Sequence, residues 1–168
     1  MENLLQVLSQ ECDAYEGLLE LSGRKTAVIV SNDLEALTKI TEEEQDQASL
    51  VTNLEKRRVE VMKDMANVLN KDVNTLTLAR LAELMKDRPQ DAQALLERRD
   101  RLTRIVADLK RVNGQNAELL KNAMEMVDFE LNLLQSMKKA PETANYTRGA
   151  YNTGDVMGVS RQKFDAKQ

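Results

Sequence analysis

Residues 89–139, PQDAQALLERRDRLTRIVADLKRVNGQNAELLKNAMEMVDFELNLLQSMKK, decide the fold. Leu95, Leu102, Ile105, Leu109, Val112, Asn116, Leu119, Ala123, Met126, Glu130, Leu133 and Met137 recur three and four residues apart, which lays one stripe along one helical face. Pro89 suits the first helical position, and Asp91 sits where the helix dipole favours an acid. Unbroken, this helix would be about 75 Å long and would need a long antiparallel partner to cover it.

The apolar arc widens along this helix. Between Leu95 and Val112 it occupies about a third of the circumference; from Leu119 onward, Leu119, Leu120, Ala123, Met124, Met126, Val127, Leu131, Leu133 and Leu134 spread it to about half. Two explanations stay open: burial among three helices, or a groove left open for a partner helix, which flexible methionines could fit.

Upstream, Leu5, Leu8, Cys12, Tyr15, Leu19, Ser22, Thr26 and Ile29 keep the same spacing and predict a first helix, with Gly17 and Gly23 marking close packing or a bend. Ser31 to Glu35 reads as a chain reversal, with Asn32 as the cap and Glu35 closing a capping box. A second helix from about Asp33 to Leu69 follows, with Leu37, Ile40, Val51, Leu54, Val61, Met65 and Val68 on its seam and Glu44, Gln47 and Arg58 interrupting it. After a turn-rich link at 70–74, Leu76, Leu78, Leu81, Leu84 and Met85 predict a short third helix acting as a lid or connector. The fold class is therefore all-α: an elongated antiparallel bundle or coiled coil of three to four helices over 1–139.

From Ala140 the stripe stops and Pro141, Gly149, Gly154 and Gly158 punctuate the chain, so residues 140–168 read as a flexible tail, disordered without a partner. Tyr146, Tyr151 and Phe164, three of the five aromatic residues, are the type of anchor that orders on binding.

Composition narrows the function. Histidine is absent and Cys12 is the single cysteine, which removes imidazole and thiolate metal sites and every His-dependent triad, so neither a metal nor another cofactor is expected. Cys12 reads as a small core residue. Glu42, Glu43 and Glu44 are adjacent, so they point apart on a helix, and an enzyme is the least favoured class. Residues 1–50 hold eleven acids against three bases, and residues 51–111 ten acids against fourteen bases. Arg57, Arg58 and the Arg98, Arg99, Arg101 cluster are interleaved with acids and lack an aromatic platform, so they are expected to pair with the acidic first segment and not with nucleic acid. No uncharged run could span a bilayer and the first turns carry no basic leader, which predicts a cytoplasmic protein without membrane insertion.

The order and distances of Glu11, Tyr15, Leu18, Leu19, Lys25, Asp33, Leu37 and Glu44, then Leu54 to Arg58, Thr75 to Leu78, Asn113 to Asn116 with Leu119 and Leu120, and the Tyr- and Gly-bearing tail around Tyr151 resemble the FlgN family of flagellar export chaperones. The resemblance covers nearly the whole chain. It implies a cytoplasmic chaperone that holds hook-associated (hook-filament junction) proteins before flagellar type III export, with the substrate bound by the C-terminal part. Carried onto this sequence, that points to Leu119, Leu120, Ala123, Met126, Val127, Leu133, Leu134 and Met137 with Tyr146 and Tyr151, and leaves export-gate components as a further partner of the tail. Gly114 departs from what a rod prefers and marks an expected bend between a bundle half and a binding half; Phe164 aligns with no family position. The competing reading is a structural homo-oligomeric coiled-coil scaffold, in which a second copy satisfies the helix-four stripe.

Overall fold

The computed structural model describes residues 1–85 and 87–139, the side chain of Lys139 excepted. Within them lie four helices and no strand: α1 (Glu2–Ser31), α2 (Leu34–Val68), α3 (Leu78–Leu84) and α4 (Pro89–Lys139). The tail from Ala140, with Tyr146, Tyr151 and Phe164, lies outside the described residues. The chain divides into two compact units, Met1–Glu130 and Leu131–Gln168.

In the first unit the expected reversal is present, but its chemistry differs from the sequence reading. Asn32 does not cap α2; it closes α1 in the left-handed conformation (φ 54°), which asparagine tolerates, and its N–H donates to the Ile29 carbonyl. Asp33 caps α2, its carboxylate accepting the Ala36 N–H at 3.0 Å. The seam of α2 also shifts. Val68 is 85% exposed, while Met62 and Ala66 are buried. A straight helix drifts about 20° per heptad against a strict seven-residue repeat, so the fourth heptad has turned Val68 away from the core.

Polar pairs between helices set the directions. Glu11 pairs with Arg58, Tyr15 with Glu55 and Lys25 with Glu44, so α1 and α2 run antiparallel. Arg98 donates to Ser9, Arg101 reaches Asp13 and Glu16, and Ser22 meets Asn113, so α4 runs parallel to α1. The partner of α4 is thus in part a parallel helix, not only the antiparallel one expected, because the segment around α3 returns the chain to the start of α1. Of the clustered arginines, Arg58 and Arg101 pair with the acidic first segment as expected, whereas Arg98 donates to the Ser9 hydroxyl and the Ala94 carbonyl and Arg99 pairs with its neighbour Asp100. The Arg101 guanidinium holds the Glu16 carboxyl below the usual range.

The apolar core is concentrated at the α3 end. Leu4 and Leu8 of α1 meet Met62 and Ala66 of α2, Leu81 and Ala82 of α3, and Leu95 of α4. Thr77 caps α3 by accepting the Arg80 N–H, and Leu76, the residue before the cap, packs in the same cluster as Leu81. That is a hydrophobic staple, which fixes the angle at which the link enters α3. Cys12 is buried, as its reading as a core residue requires, and burial pushes its thiol up. Gly17 allows a close approach: an added Cβ would stand 2.8 Å from Gln47 Nε2, which donates to the Ala14 carbonyl. Gly23 and Gly114 meet nothing within 4 Å, and α4 runs through Gly114 without a break.

The Glu11 carboxylate is fully buried, and Arg58 Nε donates to both of its oxygens at 2.9 Å. Burial pushes its pKa up against the opposing pull of Arg58. Arg58→Met should destabilise the fold by about 3 kcal/mol, because the carboxylate stays buried without a counter-ion. In urea unfolding, the double variant Glu11→Leu/Arg58→Met should recover most of that loss; a double variant as unstable as the single would contradict this account.

Candidate functional site: the open face of the long helix

Burial along α4 changes character at Asn116. Leu95, Ile105 and Asn116 are buried; beyond Asn116 none of the described residues is. Asn116 Oδ1 accepts from the Thr26 hydroxyl at 2.6 Å and its Nδ2 donates to the Ser22 carbonyl at 2.8 Å. The Ser22 hydroxyl lies 2.9 Å from Asn113 Oδ1 and 3.2 Å from Glu44 Oε1, sharing one proton between two acceptors, and Lys25 Nζ holds the other Glu44 oxygen at 2.6 Å. This polar layer ties α1, α2 and α4 together.

Past the layer α1 ends, and a groove of about 380 Å³ opens at the α1–α2 turn. One wall is Val28 and Ile29 of α1 with Leu34 and Leu37 of α2. The other is Leu120, Ala123, Met124 and Val127 of α4, which fall on one helical face. Asn32, Asp33 and Asp128 complete the rim. Leu34 and Met124 are 70% and 67% exposed, so the groove is apolar and accessible.

A second α4 stripe, Met126 and Phe129, faces solvent. In the second unit Leu131, Leu133, Leu134 and Met137 are exposed in turn. Of the residues singled out from sequence, Leu120, Ala123 and Val127 line the groove; Leu119 is half-buried beside it; Met126, Leu133, Leu134 and Met137 are exposed; Tyr146 and Tyr151 lie outside the described residues. Burial among three helices does not account for the widened arc.

Two contributions were missed. Phe129 is 67% exposed, and its signal was present: an aromatic residue three positions after Met126 and four before Leu133. The hairpin wall at Val28, Leu34 and Leu37 had no local signal, since it depends on which part of α4 the turn reaches. A larger groove of about 460 Å³ lies at the other end of this unit, between Val61, Met65, Val68, Leu81, Leu84 and Met85. The smaller groove is the better candidate because Leu120, Ala123 and Val127, singled out from the sequence, line it.

Residues 1–153 match the family described as FlgN protein. The chain belongs to the FlgN family. FlgN proteins are flagellar export chaperones, and an open apolar helix face suits that work. The chain is also similar to the uncharacterized protein YvyG of Bacillus subtilis (strain 168), 24% identical over 165 residues that cover 98% of this chain and 96% of the relative. No solved structure matches. Among the described residues no helix of this FlgN protein is long and apolar enough to cross a membrane.

Asn116→Ala should destabilise the fold by about 2 kcal/mol, because both hydrogen bonds that its buried amide makes to the Thr26 hydroxyl and the Ser22 carbonyl are lost and a cavity is left. Chemical denaturation measures this directly; a loss under about 0.5 kcal/mol would show that the layer is not what binds α4 to α1.

Proposed function

We propose that this protein is a cytoplasmic chaperone that binds hook-associated (hook-filament junction) proteins and keeps them competent for flagellar type III export. The observation that carries the reading is the exposed apolar surface of α4, with Met124 and Val127 on the groove side and Met126 and Phe129 on a second stripe, all accessible to a partner. Junction proteins have terminal segments that pair as helices only in the assembled filament, so before assembly each presents an apolar stripe open to aggregation. A substrate helix laid along α4 covers that stripe and supplies the missing neighbour. Methionines line much of the face, and their flexible thioethers adapt to more than one sequence. The tail with Tyr146 and Tyr151 either orders over the bound segment or meets the export gate. The role needs no cofactor and no nucleic acid.

Calorimetric titration of the full-length protein with terminal segments of a junction protein should give one-to-one binding with a negative heat-capacity change. Phe129→Ala and Met126→Glu should each weaken it at least about tenfold, about 1.4 kcal/mol, while leaving unfolding free energy within about 0.5 kcal/mol, because both residues are exposed. Absence of binding, together with a stable homodimer, would replace the chaperone with a self-associating scaffold.

A further inference from the structure

The groove at the α1–α2 turn carries a charge pattern as well as an apolar floor. At about 100° of rotation per residue, the stripe formed by Leu120, Met124 and Val127 is bounded by Asp128 on one edge and Glu130 on the other. Neither carboxylate has an ionic partner among the described residues. The basic side chain nearest on this stretch of α4, Lys121, is held by Glu125 at 3.7 Å.

The hairpin wall adds to the same sign. The C-terminal end of α1, whose Val28 and Ile29 line the groove, is the negative pole of a 30-residue helix and has no basic residue in its last turn. The positive pole of α2 beside it is already met by the Asp33 carboxylate on the Ala36 N–H and by Glu35. Upstream on α1, Arg24 and Lys25 are occupied by Glu43 and Glu44. A helix docked in this groove therefore has its apolar side chains on Leu120, Met124 and Val127 and meets negative charge at both edges.

We infer that the segment this groove takes is an amphipathic helix whose apolar stripe is flanked by lysine or arginine, with Asp128 and Glu130 selecting against acidic flanks. The inference rests on the reading of this face as the partner's seat and adds the chemistry by which the seat discriminates. A basic flank gains an ion pair that the apo groove lacks, and an acidic flank meets like charge as the interface closes, which discriminates between partners with equal apolar stripes.

The test uses the full-length protein and two synthetic helical peptides with one shared apolar stripe, one with lysine flanks and one with glutamate flanks, alongside a junction-protein terminal segment. The lysine peptide should bind at least tenfold tighter at low salt, and the difference should shrink as ionic strength rises. The double variant Asp128→Lys/Glu130→Lys should reverse the order of the two peptides. Equal affinities, or an order unchanged by the double variant, would overturn the inference and leave the chaperone reading standing. Binding of the junction-protein segment with neither peptide bound would overturn it as well. If the junction-protein segment also failed to bind, the chaperone reading itself would fall and this inference with it.

Discussion

The side chain of Asn116 fixes where α4 can lie. It is buried, and both of its polar ends are used, one by Thr26 and one by Ser22, ninety and ninety-four residues earlier. Sliding α4 along α1 would leave a buried amide without partners, at a cost of about 1–3 kcal/mol, whereas apolar neighbours would tolerate the slip. A polar residue at a seam position commonly sets register in this way. With that offset, Ser31 at the end of α1 falls beside about residue 121 of α4. The part of α4 that follows, to Glu130, then has no α1 to pack on, and Met124, Met126, Val127 and Phe129 stay open to solvent.

The apolar core and the open groove are separated within the first unit as a result. The apolar cluster of Leu4, Leu8, Met62, Leu81 and Leu95 lies at the α3 end, while the open groove lies at the α1–α2 turn. Between them polar pairs, Glu11 with Arg58, Tyr15 with Glu55, Lys25 with Glu44 and the Asn116 layer, accompany buried apolar residues such as Cys12, Ala14, Val51 and Ile105. The Tyr15 hydroxyl donates to Glu55 at 2.6 Å, and burial together with that carboxylate pushes its pKa up to about 12, so it remains a donor throughout the physiological range. Pairs of this kind specify alignment more than they add free energy. A chaperone built so can present a large apolar face without entrusting its own folding to it.

Much of this was legible in the sequence. The three- and four-residue spacing located α1, α2 and α4, Pro89 marked the start of α4, and Leu78 to Leu84 formed the expected short helix. Arg58 and Arg101 form the pairs with the acidic first segment that the sequence predicts, whereas Arg98 and Arg99 take other partners. What the pattern could not carry was identity of neighbours. An apolar stripe covered by a helix of the same chain and one left open read alike, so the exposure of Met124, Met126 and Phe129 came only with the structure. The capping of α2 turned on a single backbone choice, Asn32 taking the left-handed conformation and passing the cap to Asp33, which two adjacent capping residues left undecided. Val68 was misplaced because a strict heptad was extended over four repeats of a straight helix.

A partner seated on the α4 surface beyond Asn116 would shield the amides beneath it. Amide hydrogen exchange on the full-length protein, free and saturated with a junction-protein terminal segment, tests it most directly. Added protection on binding should concentrate at residues 119–138 and at the hairpin turn around 28–37, with the α3 end unchanged. Protection appearing instead around 61–69 and 81–88, at the larger groove, would contradict it.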